Sequence, residues 1–358
     1  MKKVALITNI PAPYRESTYE EVSKNPDIDF TVIYSKRIES NRSWKFKLGK
    51  YKRIFLNSLT IPLYKYEIHF NLSIYQRLNN LNPDILILTG FNPVMLIAFF
   101  WARKKSKRII IFSDGTLDSE KNISFTQRSI RKLFYKYANS FIAASQKTVN
   151  LHRHYGARDE NIFISCLCID NERLQTNNIK KTYDLMFSGQ LINRKQPFFF
   201  IEVAENYLKL NGKCKALIIG DGELSEEVSS RIKGSKVDFH FPGFVQQHDL
   251  FNYYSKAHIF LFPSLSDPWG IVANEAVAAG LPIISSKHPG SVGELIINEK
   301  NSFVLDLDSN IWAEKALELI GNNEKYNRFK DYGLNLIKNF NKEKASRGII
   351  EAIKNTDE

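Results

Sequence analysis

The stretch that most constrains this chain is FLFPSLSDPWGIVANEAVAAGLPIISSKHPGSVGEL, from Phe260 to Leu295. It opens with an apolar run short enough for a buried strand, and a turn rich in Ser and Pro follows. A small-residue helix comes next, closed by Gly280 and Pro282, with another strand from Leu281 to Ser286. Such a strand, helix and strand succession is a βαβ unit, which calls for a parallel sheet covered by helices.

The turn has chemistry of its own. Asp267 lies in the loop beside Trp269, Gly270 opens the helix without a side chain, and the first helical amides, through Ile271 and Val272, lack partners within the helix. A helix start of this kind suits a phosphate. Glu275 sits about one turn into the helix, where its carboxylate can reach paired hydroxyls of a sugar ring. The alanines at 276, 278 and 279 let the helix lie close to the sheet, and a second polar turn, HPGSVGEL, offers amides around Gly290 and Gly293.

The same alternation runs through the rest of the chain. The front half predicts strands at Val4 to Thr8, Phe30 to Tyr34, Ile85 to Leu88, Arg108 to Phe112 and Ser140 to Ala143. Helices are expected at Arg15 to Lys24, Leu72 to Leu81, Val94 to Arg103, Thr126 to Ala138 and Gln146 to Tyr155. A ligand meets an open parallel sheet at the loops after its strands. In this half those loops are NIPAPYRES, with Asn9, Tyr14 and Arg15; GFNP, from Gly90; and SDGTLD, with Asp114. The polar segment Cys168 to Lys181 reads as a junction, after which Asp184 to Gly189, Pro197 to Asn211 and Lys215 to Ile219 begin a second alternation. At 358 residues the chain has room for two such domains.

The apolar stretch Ile85 to Ala102 approaches membrane-span length, but Thr89, Gly90, Asn92 and Pro93 break its middle, so strand, loop and buried helix are expected. Cys166, Cys168 and Cys214 are too few and too irregular for a disulfide framework or a zinc site. Cys166 and Cys168 alternate as on a strand, and packing is the expected role. Residues 1–172 carry 27 Lys and Arg against 15 Asp and Glu, whereas the remainder carries 23 of each. The excess concentrates in the loop-like run from Lys36 to Arg53, interleaved with Trp44, Phe46, Tyr51 and Phe55, and in Arg103 to Arg108. Cations beside aromatic side chains suit an anionic lipid surface, to which each cation adds about 1 kcal/mol.

The pattern PS-x-x-D-P-W-G-x-x-x-x-E-A-x-A-x-G-x-P, with an acid, seven intervening residues and Glu275, resembles the nucleotide-sugar signature of retaining GT-B glycosyltransferases of family 4. The resemblance implies a fold of class α/β: two Rossmann-like, doubly wound parallel-sheet domains facing a central cleft. It divides the chain into an acceptor domain, 1–172, a nucleotide-sugar domain, 173–340, and a terminal helix, 341–358, that crosses back to the first. It places the donor on Gly189, Arg194, Lys195, Gly220, Val245, Asp267, Trp269, Gly270, Ile271, Val272 and Glu275, the acceptor near Asn9, Tyr14 and Arg15, and catalysis on Asp267, Asp114 and Lys195. Departures are visible: Asp267 stands where the family usually has Glu, Gln190 where it has Arg, Ser113 and Asp114 where many members have His, and prolines where the first loop is often glycine-rich.

By resemblance the reaction uses a nucleoside diphosphate sugar as co-substrate, with no metal or other cofactor. The acceptor is expected to be a saccharide, lipid-linked, in assembly of capsule, O-antigen or lipopolysaccharide. The enzyme is then cytoplasmic and peripheral at the inner face of the membrane. No nucleic-acid partner is expected, since no helix-turn-helix, zinc or aromatic RNA motif occurs. Two alternatives stay open on the residues: a GT-B nucleotide-sugar epimerase, and a non-enzymatic nucleic-acid binder using the positive half.

Overall fold

The computed structural model describes residues 1–38, 47–56, 58–63, 66–169 and 180–357. They form two compact units, Met1–Cys168 with Lys342–Glu358, and Ile169–Asn341.

The first unit opens with β1 (Lys2–Thr8), α1 (Pro13–Ser23), β2 (Ile28–Tyr34) and β3 (Lys52–Phe55). An antiparallel hairpin, β4 (Leu59–Leu63) and β5 (Tyr66–Phe70), precedes α2 (Ser73–Leu81), β6 (Ile85–Leu88), α3 (Pro93–Lys104) and β7 (Arg108–Ser113). It continues with α4 (Leu117–Glu120), α5 (Phe125–Tyr137), β8 (Ser140–Ala143), α6 (Gln146–His154) and β9 (Ile162–Ile164). The seven-stranded parallel sheet has the order β3-β2-β1-β6-β7-β8-β9. The strands ILIL, IIIF and FIA read as continuous apolar runs because both faces of the sheet are covered. Asn92 caps α3 through Met95 N, and Pro93 at its first position supplies the fixed φ a helix start needs.

The second unit runs β10 (Tyr183–Ser188), α7 (Pro197–Asn211), β11 (Lys215–Ile219), α8 (Ser225–Lys233), β12 (Asp238–Gly243), α9 (Gln247–Tyr254) and β13 (Ala257–Phe262). It ends with α10 (Ile271–Ala278), β14 (Ile283–Ser285), β15 (Ser302–Val304), α11 (Ser309–Gly321) and α12 (Asn323–Leu336). Its six-stranded parallel sheet has the order β12-β11-β10-β13-β14-β15. Helix α13 (Lys342–Lys354) belongs to the first unit, where Ile349, Ala352 and Ile353 are buried with Val4, Leu6 and Tyr19.

Three sequence expectations change. The run after Lys36, expected as loop, contains β3, which pairs in parallel with Thr31 to Tyr34. Tyr51 and Phe55, expected at a lipid boundary, turn inward. The Tyr51 hydroxyl donates to Glu16 at 2.8 Å, and the Phe55 ring stacks on Tyr34 at 5.3 Å. Trp44 and Phe46 lie outside the described residues, as does most of the expected junction, 170–179. Finally, Cys166 and Cys168 follow β9 rather than lying on a strand; both are buried, with Cys168 Sγ 3.6 Å from Thr18 Oγ1.

Candidate active site

Both sheets reverse their strand order beside the first strand of the unit, between β1 and β6 and between β10 and β13. At such a switch point the flanking loops diverge and leave a crevice at the carboxyl ends of the strands.

In the second unit, the loop after β10 and the loop after β13 meet at that point. A short 3-10 turn, Asn193–Lys195, brings Lys195 inward, where its buried ammonium pairs with Asp267 and lies 5.4 Å from the Phe262 ring. Arg194 stays exposed and donates to Ser266 O at 2.8 Å, while its own carbonyl accepts from Leu265 N at 2.8 Å. The two loops are therefore joined by backbone and side chain.

Glycine makes this approach possible. A Cβ on Gly220 would lie 1.8 Å from Gly189 O, and one on Gly290 would lie 1.7 Å from Pro268 O. Gly270, at φ 89°, turns the chain into α10, and a side chain there would strike the Phe262 ring. The amides of Gly270, Ile271 and Val272 that follow have no acceptor among the described residues. Gly189 and Gly220 are tied across the strand ends by Gly189 N to Ile219 O, 3.0 Å, and Gly220 N to Gly243 O, 2.9 Å. Val245 is half-buried in the next loop along, after β12.

Glu275, on the first turns of α10, is 9% exposed and accepts from the Tyr254 hydroxyl at 2.9 Å. Desolvation pushes its carboxyl up to about 7, and the Tyr254 hydrogen bond opposes the shift. Tyr254 is a partner the sequence did not single out, because an aromatic residue at the end of α9 has the pattern of an ordinary core residue. Trp269, expected against the donor, is instead buried: its Nε1 donates to Asn274 Oδ1 at 2.7 Å and its ring lies 5.6 Å from Phe340. It holds the turn rather than presenting a side chain.

In the first unit, Asn9, Tyr14, Arg15 and Asp114 line one cavity of about 240 Å³, with Thr89 and Phe112. Asn92 Nδ2 donates to Asn9 Oδ1 at 2.7 Å, joining the loops after β1 and β6. Asp114 is exposed at the end of β7. Among the described residues no group of three or more His, Cys, Asp or Glu is placed to hold a metal ion.

The class follows from the fold: two α/β units with parallel sheets and reversed strand order define a GT-B glycosyltransferase fold. The solved structure of Anabaena HepE in complex with UDP and glucose matches with a TM-score of 0.77 over 99% of this chain and 100% of that one, at 15% identity. Residues 169–336 match the model of the family described as glycosyl transferases group 1. The 2-deoxystreptamine N-acetyl-D-glucosaminyltransferase of Niallia circulans is 31% identical over 191 residues, 52% of this chain and 43% of that one. A Campylobacter jejuni alpha-1,4-N-acetyl-D-galactosaminyltransferase, named for a diNAcBac-PP-undecaprenol-linked saccharide, is 23% identical over 202 residues, 56% of this chain and 55% of that one. The chain spans about half the length of the curated relatives it matches.

Proposed function

We propose that this chain transfers a sugar, with retention of anomeric configuration, from a nucleoside diphosphate sugar to a saccharide acceptor, a lipid-linked one of the kind used in surface polysaccharide assembly. The observation that carries this reading is the switch point of the second unit, where Lys195, Arg194, Asp267, three open amides and Glu275 belong to adjoining loops and one helix.

In this reading Glu275 accepts from the ribose hydroxyls, and the diphosphate takes Lys195, Arg194 and the amides of α10. Asp267 is then released to a hydroxyl of the donor sugar. The same cations neutralise charge on the diphosphate as the sugar bond breaks. Asp114, exposed in the first unit's cavity, takes the proton of the incoming hydroxyl. The HepE complex makes UDP-glucose the first donor to try, and the Campylobacter relative supports a lipid-linked acceptor.

A place at the inner membrane face is part of the same reading. Phe100 and Phe125 are 53% and 83% exposed on α3 and α5, among the exposed cations Arg103, Lys104, Arg128 and Lys132. Those helices pack together through stacked Phe99 and Phe134, 4.2 Å apart. No described helix is long and apolar enough to cross a membrane.

Thermal unfolding with a panel of nucleotide sugars tests the donor site. A ligand at 100 times its dissociation constant adds about 2.7 kcal/mol. Glu275→Ala should lose the protection; protection undiminished in that variant would refute the assignment.

A further inference from the structure

We propose that the first unit's cavity takes an oxyanion carried by the acceptor, and that Arg15 is the group that grips it. This deepens the acceptor reading above and rests on it.

Arg15 is 8% exposed, yet its guanidinium has little to hold. Among the described residues its contacts are a long 3.5 Å hydrogen bond from Nη1 to Ser165 O and the face of Phe112, whose centroid is 4.4 Å from Cζ. No carboxylate among the described residues pairs with it. The acid next to it in sequence, Glu16, is fully engaged elsewhere: both oxygens accept from Tyr51 at 2.8 Å, Tyr34 donates to Oε1 at 3.2 Å, and Gly49 N donates to Oε2 at 2.8 Å. Asp114 lines the same cavity but makes no ion pair with Arg15 among the described residues.

A buried cation without a counter-charge is costly, and folded proteins rarely keep one unless something supplies the missing anion. The guanidinium offers a planar fork of donors suited to carboxylate or phosphate. At about 240 Å³ the cavity has room for one sugar or phosphate group. With Arg15 at hand for the anion and Asp114 for a hydroxyl, the cavity fits an acidic sugar or the phosphate end of a carrier-linked one.

The test uses the full chain in thermal unfolding, at constant ionic strength, with inorganic phosphate, glucuronate and glucose as probes. Glucuronate and glucose share a ring and differ by the carboxylate. Phosphate also stabilises proteins by exclusion from their surface, so the readout is the difference between wild type and Arg15→Gln. The expected result is a rise in midpoint with phosphate, glucuronate or both, none with glucose, and loss of the rise in Arg15→Gln. Without ligand, Arg15→Gln should unfold no earlier than wild type, because it removes a buried charge that pairs with no carboxylate among the described residues; a merely structural arginine would leave the variant weaker and the anion response unchanged.

A response to glucuronate alone assigns an acidic sugar, and one to phosphate alone assigns a phosphorylated carrier. No oxyanion response in wild type, or an equal one in the variant, overturns the proposal. Should Arg15→Gln fail to fold, Arg15→Lys keeps the charge without the fork and is expected to bind the same anion about tenfold more weakly; full affinity there would overturn the role of the guanidinium. Uridine diphosphate serves as the independent arm. Its failure to protect either protein, with the Arg15-dependent response intact, would defeat the donor reading and leave this one standing.

Discussion

The two switch points share a topology and differ in how their charges are held. In the second unit the buried cation, Lys195, already has its anion, Asp267, and the buried acid, Glu275, already has a hydrogen-bond donor, Tyr254. In the first unit the buried cation, Arg15, has among the described residues one long bond to a carbonyl and one aromatic face. A site that pairs its charges in advance is stable when empty, and ligand binding exchanges partners within it. A site that leaves a charge bare depends on the ligand to complete it. The difference fits the proposed roles, a donor site on the second unit and an acceptor site on the first.

The strongest way to break this comparison is to take the pre-paired anion's partner away. Lys195→Ala leaves Asp267 only 12% exposed and without its cation, at an expected cost of about 3 kcal/mol in chemical denaturation. Combining Lys195→Met with Asp267→Leu should recover most of that stability without restoring turnover of a nucleotide sugar. A double variant that stays as weak as Lys195→Ala would mean the pair is not what joins the loops.

Glu275 gives a pH-dependent test of nearly the same size. Its folded-state value is raised from 4.5 to about 7, so the folded protein keeps a proton that the unfolded chain releases between those values. Stability from this group therefore falls as pH rises from 4.5 to 7 and levels off above. Glu275→Gln should remove that fall, leaving the variant about 3 kcal/mol better at pH 8 than its difference from wild type at pH 4 would give. Because ribose hydroxyls donate to the ionised form, nucleotide affinity in wild type should rise with pH toward 7 and then flatten. Flat profiles in denaturation and in calorimetry would show that Glu275 is not buried as described.

On the first unit, Arg128→Glu with Lys132→Glu should weaken binding to vesicles rich in anionic lipid by about 2 kcal/mol or more at low salt, and the loss should shrink as salt is added. Hydrolysis of free donor should be unchanged, which keeps the two units' roles separate. The smallest effect is expected from Asp267→Glu, which restores the family's usual residue in a space fitted to the shorter arm. A change of about 1 kcal/mol in donor affinity, read from competition between nucleotide sugars, would sharpen the view that this position selects the sugar.

Much of this was legible before any coordinates. Helix α7 spans Pro197–Asn211 as the proline start and apolar face predict, and α13 spans Lys342–Lys354. Strands with uninterrupted apolar runs, such as Ile85–Leu88, are as read. β3 was missed because KRIF is an edge strand beside a basic run, and its partly exposed residues carry no period-2 signal. The hairpin of β4 and β5 was missed for a related reason: LTIPL contains a proline, which argues against a strand except at an edge.

The site divides in the same way. Asp267, Glu275 and the glycines could be named from a linear signature because they lie on one strand, turn and helix whose geometry is set locally. Trp269 sits in that signature too, yet its side chain is buried against Phe340 and tied to Asn274. Tyr254 and Lys195 reach their partners from another helix and another loop, at sequence separations of 21 and 72.

By itself, then, the order of residues determined the alternation of strands and helices, the positions of the tight turns and the chemical types available at each loop, since these follow from periodicity, capping and backbone freedom over a few neighbouring positions. Which charges meet was settled by tertiary structure alone. Burial and pairing depend on segments brought together by the sheet order, and that order gives Lys195 a carboxylate while Arg15 pairs with none among the described residues.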